Sequence, residues 1–356
     1  MTVIHTYNTL KKKVRQVIPT GHAYRERNLA WFMTGVFHSN SVHLSKVANK
    51  IPGKAKRRSR TRRLNRFLNN SSVRVRKWYK PVATRLLQEA AKTGLIRLII
   101  DTTKVAQNHQ LIMVAVAYKS RALPIVWTWI KSGRGHSSGS KQIALLRYAR
   151  SLVPSETRVV VLGDSEFTPL QTLLQKWNWF YVLRQKGSHL YRQTSDDTWQ
   201  RLDTLVTKPK ERRWLSNAEL TKKHQRTCNL FAHWKRGEKE PWLLATNFST
   251  FRKTNRFYKK KMWLDEMFGD FKSNGADLEK SRLRHFLRLS RLTLVVALLY
   301  VWLVAFGSTT IKKGERHLVD RADRKDLSVY RIGYDMFERC LINNLPIKIR
   351  DSPYFI

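Results

Sequence analysis

Two apolar runs that each end on an aspartate constrain this chain more than any other feature. Ile96-Arg-Leu-Ile-Ile-Asp101 and Arg158-Val-Val-Val-Leu-Gly-Asp164 are short and rich in β-branched residues, as expected of strands buried in a sheet. Between them, 111–118 and 123–130 are further apolar runs a short turn apart, which predicts an antiparallel meander. A helix is expected from Gln142 to Leu152, another over 170–177, and a strand over 179–184. The order is three strands, helix, strand, helix, strand. That is a mixed α/β fold with two carboxylates at strand ends.

Charge makes those carboxylates conspicuous. Lys and Arg number 69 against 25 Asp and Glu, a formal net charge of +44, spread along the chain rather than gathered in a tail. Such an excess calls for a polyanionic partner, and 42% hydrophobic residues suffice for a real core. In the first 100 residues the only acids are Glu26 and Glu89, so an acid inside an apolar run asks for an explanation. Cys228 and Cys340 match no metal or redox spacing and fit a reduced compartment. The start, Met1-Thr-Val-Ile-His, has no apolar signal core. The longest apolar run, 292–306, falls short of the roughly 20 residues needed to span a bilayer. It follows Arg282, Arg284, Arg288 and Arg291, so a helix buried in protein is expected there. The composition therefore predicts a cytoplasmic protein with no membrane contact, nucleoid-associated where its polyanionic partner is DNA.

Residues 1–90 read as a helical, basic DNA-binding domain. Its densest positive cluster is 50–66. Ser41-Val-His-Leu-Ser-Lys-Val-Ala-Asn predicts a short helix, Pro52-Gly53 a turn, and the next helix carries Arg62, Arg63 and Arg66. This is either a helix-turn-helix-like sequence reader or a basic arm that grips phosphates without reading bases. Residues 91–186 would form the first part of the core. A β-rich insertion at 187–250, with Trp214, Trp234 and Trp242, would interrupt it, the core would resume over 251–310, and a basic tail would run over 311–356. Gly133-Arg-Gly-His-Ser-Ser-Gly139 is a loop with no Walker lysine at the required spacing.

Tyr258-Lys-Lys-Lys-Met-Trp-Leu-Asp-Glu-Met-Phe-Gly-Asp-Phe-Lys272 adds the third element. At 100° per residue, Tyr258, Lys261, Asp265 and Lys272 share one helix face, and Trp263, Leu264, Met267 and Phe271 the opposite, buried one. Two strand-end carboxylates plus one on a helix suit a hard divalent cation such as Mg²⁺, which takes oxygen ligands. Two such ions, about 3.5–4 Å apart, can activate the attacking oxygen and neutralise the leaving one in phosphodiester cleavage. Asp101, Asp164 and either Asp265 or Glu266 would supply the cage. A strand-end Asp can also be a plain cap or turn residue, and the helix a solvated face of charge pairs.

These segments resemble the DDE transposases of bacterial insertion sequences, in particular the group with the signature Y-(2)-R-(3)-E-(6)-K. The residues that carry the resemblance are Ile99-Ile-Asp101-Thr-Thr, Leu162-Gly-Asp164-Ser-Glu-Phe and the stretch from Tyr258 to Lys272, and it covers about residues 40–290. It implies an RNase H-like catalytic core interrupted by a β insertion, and two Mg²⁺ ions with Mn²⁺ as a substitute. It also implies cutting at inverted-repeat DNA ends and joining to target DNA by a homodimer. Asp101 and Asp164 match the first two catalytic acids. Tyr258 and Lys272 match the signature tyrosine and lysine that contact the phosphates of the transposon end. Lys261 stands where the family has Arg, which keeps the charge and loses the bidentate fork. Register puts Asp265 where the family has Glu, with Glu266 next door.

The family also stacks a tryptophan of the insertion on a flipped base, and Pro241-Trp242-Leu-Leu-Ala-Thr246 resembles that segment; Trp242 can equally begin a strand and pack in the core. Arg184, Lys186, Arg282 and Arg284 are candidate DNA contacts by charge, and His136 and His285 are placed to approach the site. Two rivals remain open. One is an RNase H-like nuclease without strand transfer. The other is a defective transposase that binds its own ends as a repressor.

Overall fold

The computed structural model describes residues 2–105, 109–131, 137–222, 226–272 and 275–356. Five helices come first: α1 (Thr2–Val17), α2 (Ala23–Ser39), α3 (Leu44–Asn49), α4 (Arg57–Asn69) and α5 (Val75–Ala91). Helix α4 buries the narrow stripe Leu64, Phe67 and Leu68 and leaves Arg62 and Arg66 exposed, whereas α1 buries Lys13 with Leu10 and Val14. Helices α3 and α4, joined across Pro52-Gly53, are the pair expected from the sequence.

Then β1 (Ile96–Val105), β2 (His109–Tyr118) and β3 (Arg121–Lys131) form the antiparallel meander. Lys119 and Ser120, both at positive φ, make the two-residue turn between β2 and β3. Pro124 sits beside the register shift at Val114/Ala115, where a strand tolerates the loss of an N–H donor. Next come α6 (Gly139–Arg150), β4 (Val159–Gly163), a 3-10 turn (Ser165–Leu170), α7 (Gln171–Lys176) and β5 (Phe180–Arg184).

Strand β1 pairs in parallel with β4, from Ile96↔Val159 to Ile100↔Gly163, and β4 pairs in parallel with β5. Asp101 and Asp164 are the next residues along that parallel pair. Asp101 does not end its strand as expected, because β1 stays bonded to β2 as far as Val105↔His109. What ends at Asp101 is the pairing with β4, and there one edge of the strand opens.

The stretch expected as an insertion contributes β6 (Leu190–Arg192), β7 (Gln200–Arg201), β8 (Arg212–Leu220), β9 (Arg226–His233) and β10 (Trp242–Thr246). These strands extend the central sheet. β10 pairs antiparallel with β5 through Leu244↔Arg184, giving the ten-strand order β3-β2-β1-β4-β5-β10-β9-β8-β6-β7.

The chain then forms α8 (Phe251–Tyr258), α9 (Met262–Phe271), α10 (Phe286–Lys312) and α11 (Val329–Ile342). The single helix expected over 258–272 is broken by a 3-10 turn at Lys259–Lys261. That break turns Tyr258 and Lys261 inward, so both are buried rather than on a wet face. By length and composition α10 is apolar enough to cross a membrane, yet most of it is buried inside the protein. It packs on α11, α2, α4, α5 and β3. The buried Arg291 of α10 donates to the carbonyls of Leu68 (2.7 Å) and Val73 (3.2 Å), tying the end of α4 to the core.

Residues 311–356 are more than the basic tail expected from composition. Ile332, Phe337, Cys340 and Leu341 of α11 are buried against the rest of the protein. Gly307 and Gly333 let α10 and α11 touch backbone to backbone; a Cβ on Gly333 would lie 1.9 Å from the Leu303 carbonyl oxygen.

Candidate active site

Three aspartates from three elements converge on one ammonium. Asp101 Oδ1 accepts the backbone N–H of Thr102 (2.8 Å), and its Oδ2 lies 2.8 Å from Lys261 Nζ. Asp164 caps the 3-10 turn, its Oδ1 accepting the Ser165 N–H at 2.7 Å, and its Oδ2 lies 3.9 Å from the same nitrogen. Asp265 lies one helical turn after Lys261, with Oδ2 at 3.3 Å. Asp101 is buried, whereas the side chains of Asp164 and Asp265 keep 36% and 42% of their exposure, so the cluster has a deep wall and an open mouth.

The electrostatics follow from this depth. Burial raises the Asp101 carboxyl to about 7, against the pull of the Lys261 ammonium and the Thr102 amide. Burial also opposes the charge on Lys261, but Asp101 and Asp265 outweigh it and hold that ammonium above its ordinary range. Among the described residues no three His, Cys, Asp or Glu are gathered as a metal cage. The carboxylate oxygens of Asp101, Asp164 and Asp265 surround Lys261 instead. The donor set is nevertheless all hard oxygen, which fits Mg²⁺ or Mn²⁺ and not a soft metal.

Tyr258 lies behind the cluster. Its ring meets Trp242 edge to face at 4.9 Å, and burial, then the Asp164 carboxylate, raises its hydroxyl above the ordinary range. Trp242 begins β10, half-buried, with Lys235 Nζ 3.3 Å from its ring centroid. Arg184, at the end of β5, pairs with Glu240 at 3.2 Å and acts electrostatically on Tyr258.

Other expected residues stand apart from the cluster. Glu266 faces another way, 58% exposed and 3.2 Å from Arg121, which also holds the buried Asp270 at 2.8 Å. Lys272, at the end of α9, pairs with Glu279 at 3.2 Å. Arg62 and Arg66 are exposed on α4, while the Arg63 guanidinium lies over the Trp31 ring at 4.2 Å. Arg282, Arg284 and His285 are exposed in the loop before α10, which His109 anchors through the Arg284 carbonyl at 3.0 Å. His136 and the first residues of the glycine-rich loop lie outside the described residues.

Against known proteins the chain has few matches. No protein-family model matches it, and no curated protein does. Among solved structures it is similar to a piggyBac transposase in a synaptic complex with hairpin DNA, seen by cryo-electron microscopy. The identity is 10%, the TM-score 0.48, and the alignment covers 97% of this chain and 83% of that one. A likeness of that strength carries no weight for this chain.

Two acids escaped the sequence reading, Glu166 beside the cluster and Asp270 farther along α9. Glu166, two residues past Asp164, accepts the Thr102 hydroxyl, and its carbonyl takes the Gln142 amide at 3.1 Å, which ties the 3-10 turn to β1 and α6. Asp270 lies among Met267, Phe268 and Phe271 on the buried face of α9, where burial raises its carboxyl to about 6 despite Arg121 and Tyr300. Both carried a signal: an acid within three residues of apolar core positions, in a chain short of acids.

Proposed function

We propose that this chain is a metal-dependent DNA transposase with an RNase H-like core, cutting at the inverted-repeat ends of an insertion sequence and joining them to target DNA. One observation carries the reading: in a chain of +44, oxygens of Asp101, Asp164 and Asp265 lie within 4 Å of one point at the open end of the parallel β1–β4 pair. The succession of three strands, helix, strand, helix, strand supports the RNase H-like assignment.

In this reading Asp101, Asp164 and Asp265 hold divalent ions, Mg²⁺ or Mn²⁺. Those ions supply Lewis-acid stabilisation and an activated oxygen nucleophile. Asp101, pinned by the Thr102 amide, fixes the deep side of the seat, and Asp265 closes it from α9. Lys261, Lys272, Arg184 and the exposed Arg282 and Arg284 offer charge to the phosphates of the transposon end. Trp242, backed by the buried Tyr258, is the ring against which an unpaired base can stack for roughly 1–3 kcal/mol once Lys235 leaves its face. Helix α4 presents Arg62 and Arg66 to duplex DNA. A homodimer holding both ends completes the proposal.

The lysine among the three acids favours a second reading, a DNA-binding protein that does not cut. Duplexes made from the DNA flanking the gene separate the readings. Incubated with the full chain and Mg²⁺, a transposase frees 3′-hydroxyl ends and joins them to a target plasmid. A plain nuclease frees ends and joins none, and a repressor binds without cutting. Either of the last two results overturns the proposal.

A further inference from the structure

Lys261 lies in the space that a cation shared by the three aspartates would take. Its Nζ is 2.8 Å from Asp101, 3.3 Å from Asp265 and 3.9 Å from Asp164, and the residue is only 9% exposed. Three carboxylates brought this close repel one another unless a positive charge stands between them. In the protein without metal, the ammonium supplies that charge. A divalent ion held by the same oxygens cannot coexist with it at this distance.

We infer that Lys261 is a built-in occupant of the metal seat, displaced when a divalent cation enters; the inference rests on the metal-dependent reading above. Lysine suits the role because its charge sits on a flexible four-carbon stem, whereas a planar guanidinium is held in a fixed fork. The residue ends the 3-10 turn between α8 and α9, while Asp265 lies one turn into α9, so the stem can leave without moving the acid. A phosphate of bound DNA gives the displaced ammonium a new partner. Metal and DNA then enter together: without DNA the lysine keeps the seat and divalent affinity stays low, and a phosphodiester at the mouth releases it.

Titration of the full chain with Mn²⁺, free ion read by electron paramagnetic resonance and no DNA present, tests this. Lys261→Met should bind Mn²⁺ about tenfold more tightly than wild type, or better, since a like charge has been removed. Adding Asp164→Asn to that variant should abolish the gain. Equal or weaker affinity in Lys261→Met overturns the inference and leaves the metal reading standing. Binding in neither protein overturns both. A wild-type measurement guards against misfolding of the variant: reductive methylation of lysines, read peptide by peptide, should find Lys261 protected without Mn²⁺ and reactive once the seat is loaded. Unchanged protection at a loading concentration of Mn²⁺ overturns the inference.

Discussion

Asp265 and Glu266 are neighbours in the chain and face different partners across α9. Asp265 points to Lys261 and the strand acids, while Glu266 reaches Arg121 on β3 at 3.2 Å. Asp265→Asn is therefore expected to abolish cleavage, Asp265→Glu to retain much of it, and Glu266→Gln to cleave within about tenfold of wild type, a loss under roughly 1.4 kcal/mol. Rates on end DNA with Mg²⁺ check this, and a reversed order would make Glu266 the ligand. The sequence reading favoured Asp265 from its register with Tyr258 on one continuous helix; the 3-10 break at Lys259–Lys261 leaves only the one-turn spacing from Lys261 to Asp265. The inward turn of Tyr258 and Lys261 was not legible. It depends on three consecutive lysines adopting a 3-10 turn at the junction of two helices, and a periodicity of 3.6 cannot show that.

At the scale of elements, α9 is held on the sheet by a charge pair as well as by its apolar stripe. Arg121 bonds Asp270 at 2.8 Å, with the Tyr300 hydroxyl at 3.3 Å. Because burial raises the Asp270 carboxyl to about 6, the unfolded chain releases this proton first as pH rises. The group's contribution to stability is thus greatest below about 4 and lost by about 6, an upper bound of about 3 kcal/mol. Asp270→Asn should flatten that fall; chemical denaturation at several pH values measures it, and an unchanged slope would show that Asp270 does not titrate in this window. The crossing of α10 and α11 makes a second prediction. Gly333→Ala puts a methyl into the Leu303 carbonyl, so a loss of about 1–3 kcal/mol or more is expected in the same experiment. The apolar helix α10 was plain in the sequence. Helix α11 was not recognised, although Val329, Ile332, Met336, Phe337, Cys340 and Leu341 repeat at helical spacing, because the basic composition around them led to the reading of a basic tail.

For the whole molecule, one sheet joins the core to the strands of the expected insertion, and its open end at β1 and β4 brings Asp101 and Asp164 together in a chain of +44. The order of strands and helices was legible because apolar runs and turns punctuate it. The continuity of the sheet was not, since the pairing of β10 with β5 links positions some sixty residues apart and leaves no local pattern. With so much positive surface, duplex affinity of the full chain is expected to fall by about three to five orders of magnitude between roughly 50 and 200 mM salt if six to ten phosphates are contacted. A flat salt response would rule out a broad phosphate interface. The central claim is that Asp101 and Asp164, just past the parallel pairing of β1 with β4, hold the ions that cut DNA, and the most direct measurement is the rate of Mg²⁺-dependent end cleavage by Asp101→Asn and Asp164→Asn at unchanged DNA affinity. Loss of cleavage in both, by more than about a hundredfold or roughly 2.7 kcal/mol, is the predicted result; cleavage by either within about tenfold of wild type would contradict it.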